Sequence, residues 1–258
     1  PNYLKKILNI IKPKKILYFH NNPLEMSGSK TIKDRLFLIE NLHKIIFNSE
    51  WTKEQFLFNL PNIYKKIPKL IVVYQSTKKN KVDLSKKENI ITFVGKLNTA
   101  KGYDLFGKAT IKILNEFPNW RAEIAGDESR EKIFFKHDRF KLNGFLNHKS
   151  VLKIFKKTSI SVVCSRWNEP FGRTSLEASS YGCATIISDK GGLIETTSDA
   201  LILREANSED LYKLIKKLII NKRLRTNLQK KSLKNFYLTN TFISKKIDII
   251  RIDLFKSQ

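Results

Sequence analysis

The sequence predicts an α/β protein built on parallel sheets, with one complete doubly wound domain preceded by part of another. Three observations carry this expectation. Short runs rich in Ile, Val and Phe alternate with helix-length amphipathic segments along most of the chain, which is the pattern of β-α-β units. A polar, charged stretch at residues 75–89, "QSTKKNKVDLSKKEN", divides two such series and reads as a linker. The second series has enough strands to be covered on both faces, whereas the first has about three, too few for a sheet buried on both sides.

In order, "KKILYF" is a strand candidate. "TIKDRLFLIENL" is a helix with Ile32, Leu36, Ile39 and Leu42 on one side, "KIIFNS" a strand, "WTKEQFLFNL" a helix and "KLIVVY" a strand. After the linker come the strand "IITFVG", a helix through "YDLFGKATIKILNEF", the strand "RAEIAG" and a helix through "HKSVLKIFKK". The strand "SISVVCS", a helix through "TSLEASSYG" and the strand "ATIIS" follow. The helix "SEDLYKLIKKLII" places Leu211, Leu214, Ile215 and Leu218 at core spacing, with Asn207 or Ser208 as its cap. The run from Phe236 to Phe255 reads as one or two further helices. The expected division is residues 1–80 as the end of a first domain, 81–235 as a ligand-binding domain, and 236–258 as helices packing back toward the first. The beginning of the first domain is expected to lie before Pro1.

Composition bounds the function. In 258 residues, 41% hydrophobic content with three Trp and seventeen Phe suffices for a real core. Against 24 Asp and Glu stand 49 Lys and Arg, a net charge of +25. That excess suits nucleic acid, an anionic membrane or a phosphorylated small molecule, and a Lys-, Ile- and Asn-rich genome gives the same bias without any partner. The two cysteines, Cys164 and Cys183, have no His cluster beside them, so neither a disulfide framework nor a metal site is indicated. A cytoplasmic setting fits, with the inner face of a membrane as a peripheral location. No apolar run approaches the roughly 20 residues that span a bilayer, and no secretory signal is evident.

Two stretches have the makings of a site. "SRWNEPFGRTSLEASSYG" places Glu169 before a Pro-Phe-Gly turn and Glu177 inside the helix that follows, at the carboxyl edge of the sheet, where open α/β folds bind ligands. Carboxylates suit vicinal hydroxyls, because their two oxygens accept two O–H donors. The plainer alternative is that Glu177 supports the helix start and Glu169 is solvated. "FVGKLNTAKGYDLF" ends a strand in Gly95 and carries Lys96 and Lys101 on a loop before a helix, a natural place for a diphosphate. It is neither a P-loop nor a GxGxxG fingerprint.

Together these stretches resemble the family-4 glycosyltransferases of the GT-B fold, retaining enzymes that use nucleotide-sugar donors. "FVGKLNTAKG" resembles the family's basic strand-loop, "SRWNEPFGRTSLEA" its Glu-Pro-Phe-Gly segment with a second Glu, and "ATIISDKGGLIE" its Gly-Gly-x-x-Glu loop. "YFHNNP" and "KIIFNSEWTKEQFL" are similar to the later part of the family's N-terminal domain. The resemblance implies a complete C-terminal Rossmann-like domain plus a partial N-terminal Rossmann-like one. It further implies that Lys96 and Lys101 hold the donor diphosphate, that Glu169 contacts the transferred sugar, and that Glu177 binds the ribose. The segment Pro170, Phe171, Gly172, Arg173 and Thr174 would hold sugar and phosphate, with Gly95 beside them. Gly126, Phe145 and Leu146 would approach the base. His20 falls where many members place a histidine near the reacting sugar, and as a lone His at a strand end it has a structural reading too.

On this resemblance the donor is a UDP- or GDP-sugar, no cofactor or metal is obligatory, and the acceptor is a glycan or a lipid-linked saccharide of surface polysaccharide synthesis. Retention in the family is explained by departure and attack on the same face, with cations stabilising the leaving diphosphate. A glycosidase carboxylate pair fits less well beside phosphate-binding lysines. Three departures stand out. Lys96 replaces the usual Arg, Gln75-Ser76 stands where an Asn-Gly turn is common, and the family's first strands with their glycine-rich loop have no counterpart in this sequence. Two alternatives remain at this point: a basic nucleic-acid-binding module, against which no RRM, KH or zinc-finger signature is found, and a truncated or degenerate homologue that binds nucleotide without turnover.

Overall fold

The computed structural model describes Leu8 and residues 13–256. The chain forms two compact units, Pro1–Ser76 together with Leu238–Gln258, and Thr77–Tyr237.

In the first unit three parallel strands, β1 (Ile16–Phe19), β2 (Lys44–Phe47) and β3 (Leu70–Val72), pair in that order. Helices α1 (Ile32–Asn41) and α2 (Glu50–Leu57) connect them. Thr31 and Asp34 close a capping box on α1, and Ser49 caps α2. Phe19, Phe47 and Phe56 meet with ring centroids 5.1–5.6 Å apart at the centre of the core. The inward face of α1 is Arg35, Leu38 and Ile39, whereas Ile32 is exposed. The expected stripe is displaced because the buried Arg35 takes a core position: its Nη1 donates to the carbonyls of Phe56 and Phe58 at 2.6 and 2.7 Å and so satisfies the carboxyl end of α2.

The second unit is built on six parallel strands: β4 (Glu88–Val94), β5 (Arg121–Ala125), β6 (Phe140–Leu142), β7 (Thr158–Val163), β8 (Ala184–Ser188) and β9 (Ala200–Leu203). Their order is β6-β5-β4-β7-β8-β9, so the direction of winding reverses between β4 and β7. The helices are α3 (Tyr103–Glu116), α4 (His148–Lys157), α5 (Arg173–Ser180), α6 (Ser208–Ile220) and α7 (Lys222–Lys234). Helices α3 and α6 pack on each other, while α5 packs between α4 and α7 in a separate layer. The chain ends in α8 (Asn240–Lys256), a single helix that buries Ile243, Ile250 and Leu254 in the first unit.

Three elements have weak sequence signals. Strand β6 is three residues long with two of them exposed, and β9 is four residues with one buried. Helix α7 turns a polar face inward: Arg225 donates to the carbonyls of Leu218 and Ile219, Gln229 to that of Ser159, and Ser232 to that of Ser179. A buried face made of hydrogen-bonding side chains leaves little hydrophobic periodicity to read. Within the expected linker, Glu88 already belongs to β4, and Lys87 Nζ donates to the Phe155 carbonyl at 2.8 Å. Burial lowers the pKa of that lysine.

The loops at the carboxyl edge of β4 and β5 meet backbone to backbone. Gly126 has φ +145, and a Cβ there would lie 1.8 Å from the Gly95 carbonyl oxygen. Gly144 has φ +64 but open space around its Cβ position. Gly126→Ala should therefore cost at least about 3 kcal/mol in urea unfolding. Gly144→Ala should cost about 1–2 kcal/mol from left-handed strain alone. Equal losses would contradict the close approach.

Candidate functional site

At the winding reversal two helices begin beside each other on glycine. Helix α3 starts after Gly102 and α5 after Gly172, and neither has a side-chain cap. The Tyr103 N–H of α3 reaches back to the Asn98 carbonyl at 3.1 Å, whereas the first turn of α5 has no side-chain acceptor, and the helix dipole favours an anion there.

The loops leading into these helices are tied together. Arg166 donates to both carboxylate oxygens of Asp104, at 2.6 and 2.7 Å, and to the Thr99 carbonyl at 2.6 Å. The Arg166 and Trp167 N–H groups and the Ser165 hydroxyl all donate to the Ala100 carbonyl, at 2.9, 3.2 and 3.2 Å. Burial pushes the Asp104 carboxyl up, but its bonds with Arg166 prevail and hold it below its usual range. Asn98, itself buried, accepts from the Lys101 N–H at 3.0 Å and so shapes the turn that projects the lysine.

Between the loops lies a cavity of about 80 Å³ lined by Phe93, Val94, Gly95, Lys101, Val163, Ser165, Glu169, Gly172, Arg173 and Thr174. Lys101 Nζ stands 2.6 Å from Glu169 Oε1, with the two side chains 31% and 14% exposed. Trp167 flanks the pair, its ring centroid 5.9 Å from Lys101 Nζ. The Glu169 backbone is clasped from the Gly-Gly loop, where the Gly192 N–H donates to the Glu169 carbonyl at 2.7 Å. Gly191, at φ +61, bridges to the same residue, and a Cβ on it would fall 2.4 Å from that carbonyl oxygen. A side chain at 191 would push Glu169 away.

Glu177 lies deeper. Its buried carboxylate takes one bond from Arg173 Nη2 and one from His148 Nε2, both to Oε1 at 3.0 Å. It is not on the cavity wall, but Arg173 is, so one guanidinium connects the cavity with the second acid. Burial, together with the Glu177 charge, raises the pKa of the neighbouring Tyr181.

Of the residues singled out in the sequence, the structure thus gathers Gly95, Lys101, Glu169, Gly172, Arg173 and Thr174 around one cavity. Lys96 is exposed on the same loop, and no ion-pair partner is found for it among the described residues. Pro170 and Phe171 form the turn into α5, with the Phe171 side chain buried in the domain. Gly126 supports the Gly95 backbone, while Phe145 is 76% exposed and Leu146 half-buried on the loop before α4. His20 belongs to the first unit. Its Nδ1 lies 3.0 Å from Gln75 Nε2 and its ring 4.2 Å from that of Tyr18, whose hydroxyl donates to the Val73 carbonyl. Sequence reasoning missed Asn98, Asp104, His148, Ser165 and Arg166. The partners of Asp104, His148, Ser165 and Arg166 in these contacts stand 29 to 67 residues off in the chain, and Asn98 acts through a local bond in a loop with no distinctive pattern. A larger hollow of about 760 Å³ runs along α7, but it has no carboxylate and no part in these contacts.

The glycosyl transferases group 1 family model matches residues 74–235. Among curated relatives, an uncharacterized glycosyltransferase of Methanocaldococcus jannaschii, MJ1607, is 30% identical over 181 residues, covering 65% of this chain and 43% of that protein. The lipopolysaccharide core biosynthesis mannosyltransferase LpcC of Rhizobium leguminosarum bv. viciae is 29% identical over 141 residues, 49% of this chain and 40% of LpcC. The chain thus spans about two fifths of the length of these relatives. In fold it is similar to Anabaena Alr3699/HepE, solved in complex with UDP and glucose, with a TM-score of 0.76 at 16% identity over 94% of this chain and 72% of that one. With the family model matched over more than half of its length, the chain belongs to the glycosyl transferases group 1 family.

Proposed function

We propose that the protein is a retaining, family-4-type glycosyltransferase that moves a sugar from a nucleoside-diphosphate sugar to a glycan or lipid-linked acceptor in surface polysaccharide synthesis. The observation that carries this reading is the meeting of an uncapped helix start, Lys101 and Glu169 in one cavity at the winding reversal. That combination offers a place for a diphosphate beside a place for sugar hydroxyls. LpcC is named as a mannosyltransferase of lipopolysaccharide core synthesis, and HepE is solved with UDP and with UDP-glucose, which supports a sugar nucleotide as donor.

In this reading the donor diphosphate sits against the first-turn N–H groups of α5, with Lys101 and Arg173 alongside and Lys96 at the mouth. The Lys101–Glu169 pair already has the cation on station. A diphosphate carries more negative charge than one carboxylate and so competes for the ammonium group, freeing Glu169 to accept hydroxyl protons from the sugar. Glu177, steadied by His148 and Arg173, takes the ribose hydroxyls, with Gly126, Phe145 and Leu146 toward the base. Catalysis is electrostatic and positional: cations and helix N–H groups stabilise charge growing on the leaving diphosphate while the acceptor attacks from the same face. The role given to His20 rests on the family resemblance alone. A lipid-linked acceptor would be presented at a membrane, which suits the excess of cations.

Calorimetric titration with UDP, GDP and ADP should show binding of at least one nucleotide. Silence toward all three would sink the proposal. Lys101→Ala should weaken binding of that nucleotide about ten- to a hundredfold, the worth of a hydrogen bond to a charged group; an unchanged affinity would remove Lys101 from the diphosphate. Glu177→Ala should cost about 1–3 kcal/mol of nucleotide affinity, and Glu177→Gln less, since one acceptor oxygen remains. If neither change is felt, ribose lies elsewhere.

A further inference from the structure

The two helical layers of the second unit are charged in different ways. In the layer of α3 and α6, three of the five lysines are matched by acids: Lys112 pairs with Glu209 at 2.9 Å, Lys213 with Asp210 at 3.0 Å and Lys216 with Glu116 at 2.5 Å. The layer of α4, α5 and α7 has a single carboxylate in its helices, Glu177, and that one is buried. On α7, the side chains of Lys222, Arg223, Lys230, Lys231 and Lys234 are exposed, and no ion pair is found for any of them among the described residues. On α4, Lys149, Lys153 and Lys156 stand likewise, and only Lys157 at its end is paired, with Glu88 at 3.3 Å. A lysine-rich composition would spread cations over both layers. It does not account for acids being confined to one.

We infer that the α4–α7 face is a docking surface for an anionic lipid bilayer. Its extent suits a plane. The α7 row runs about 18 Å from Lys222 to Lys234, and α4 lies two helix spacings across, about 16–20 Å. Its chemistry suits headgroups, since seven of the eight free cations are lysines, point charges without the fork that reads base edges. The exposed faces of α4 and α7 carry no Phe, Tyr or Trp ring for stacking bases, Phe155 being buried. At the head of the row Ile220 is 65% exposed, an aliphatic group with nothing to gain from phosphate but with a place among acyl chains. Because α5 begins at the cavity and lies within this layer, docking would set the cavity mouth at the border of the membrane-facing side. The inference stands on charge layout and does not require the glycosyltransfer reading.

The test is co-sedimentation of the full chain with phosphatidylcholine vesicles, with and without phosphatidylglycerol, at physiological salt. Binding should depend on phosphatidylglycerol. Replacing Lys222, Arg223, Lys230, Lys231 and Lys234 together by Gln should lower the partition coefficient at least about tenfold. The α4 set Lys149→Gln, Lys153→Gln and Lys156→Gln should lower it independently, while Lys108→Gln with Lys217→Gln on the opposite layer should have little effect. An equal loss from that control pair, binding that ignores phosphatidylglycerol, or tighter binding to a short RNA duplex than to the anionic vesicles would overturn it. Nucleotide titrations of the same variants should match the parent chain, so a failure of lipid docking is told apart from a failure of the donor-site reading.

Discussion

Arg166 holds the carboxyl edge of the second domain in shape. Its guanidinium reaches from the loop after β7 to the first turn of α3, engaging both oxygens of Asp104 and the Thr99 carbonyl. The geometry is bidentate and the pair is half-buried, the setting in which an ion pair fixes position better than an exposed one. Because two helix starts are tied through it, Lys101 on one loop meets Glu169 on the other at hydrogen-bonding distance. Remove the tie and the lysine is one more cation on a surface already full of them.

The same edge shows backbone doing work usually credited to side chains. Glu169 owes its position to its own carbonyl, which the Gly-Gly loop grips from behind. The cavity floor is the meeting of strand ends, and one of its walls is an uncapped helix turn. Such a site depends on where main chain can approach main chain. Substitutions at its glycines should therefore be felt more sharply than substitutions of most lysines around it.

Much of this was legible in the amino-acid order. The strands of both sheets apart from the two short edge ones and the helix starts at Gly102 and Gly172 follow from local pattern, and the pairing of a Lys loop with a Glu-Pro-Phe-Gly segment from the family resemblance. Long-range partnership does not. Lys96 and Lys101 look alike in sequence, yet only Lys101 is held by Asn98 and matched to an acid. His148 gives no local sign that it will bond Glu177, 29 residues on. Helix α7 escaped because its inward face is built of Arg, Gln and Ser bonded to carbonyls, so its burial leaves no apolar stripe. Arg35 shifted the expected face of α1 for the same reason.

One side chain stands in two neighbourhoods. Arg173 borders the cavity and also bonds the buried Glu177. In the proposed donor site, a guanidinium drawn toward the diphosphate loosens its hold on Glu177, so filling the first neighbourhood alters the cost of filling the second. Thermodynamic reciprocity then requires the influence to run equally in both directions, so on that proposal the diphosphate and ribose places act as a single cooperative unit.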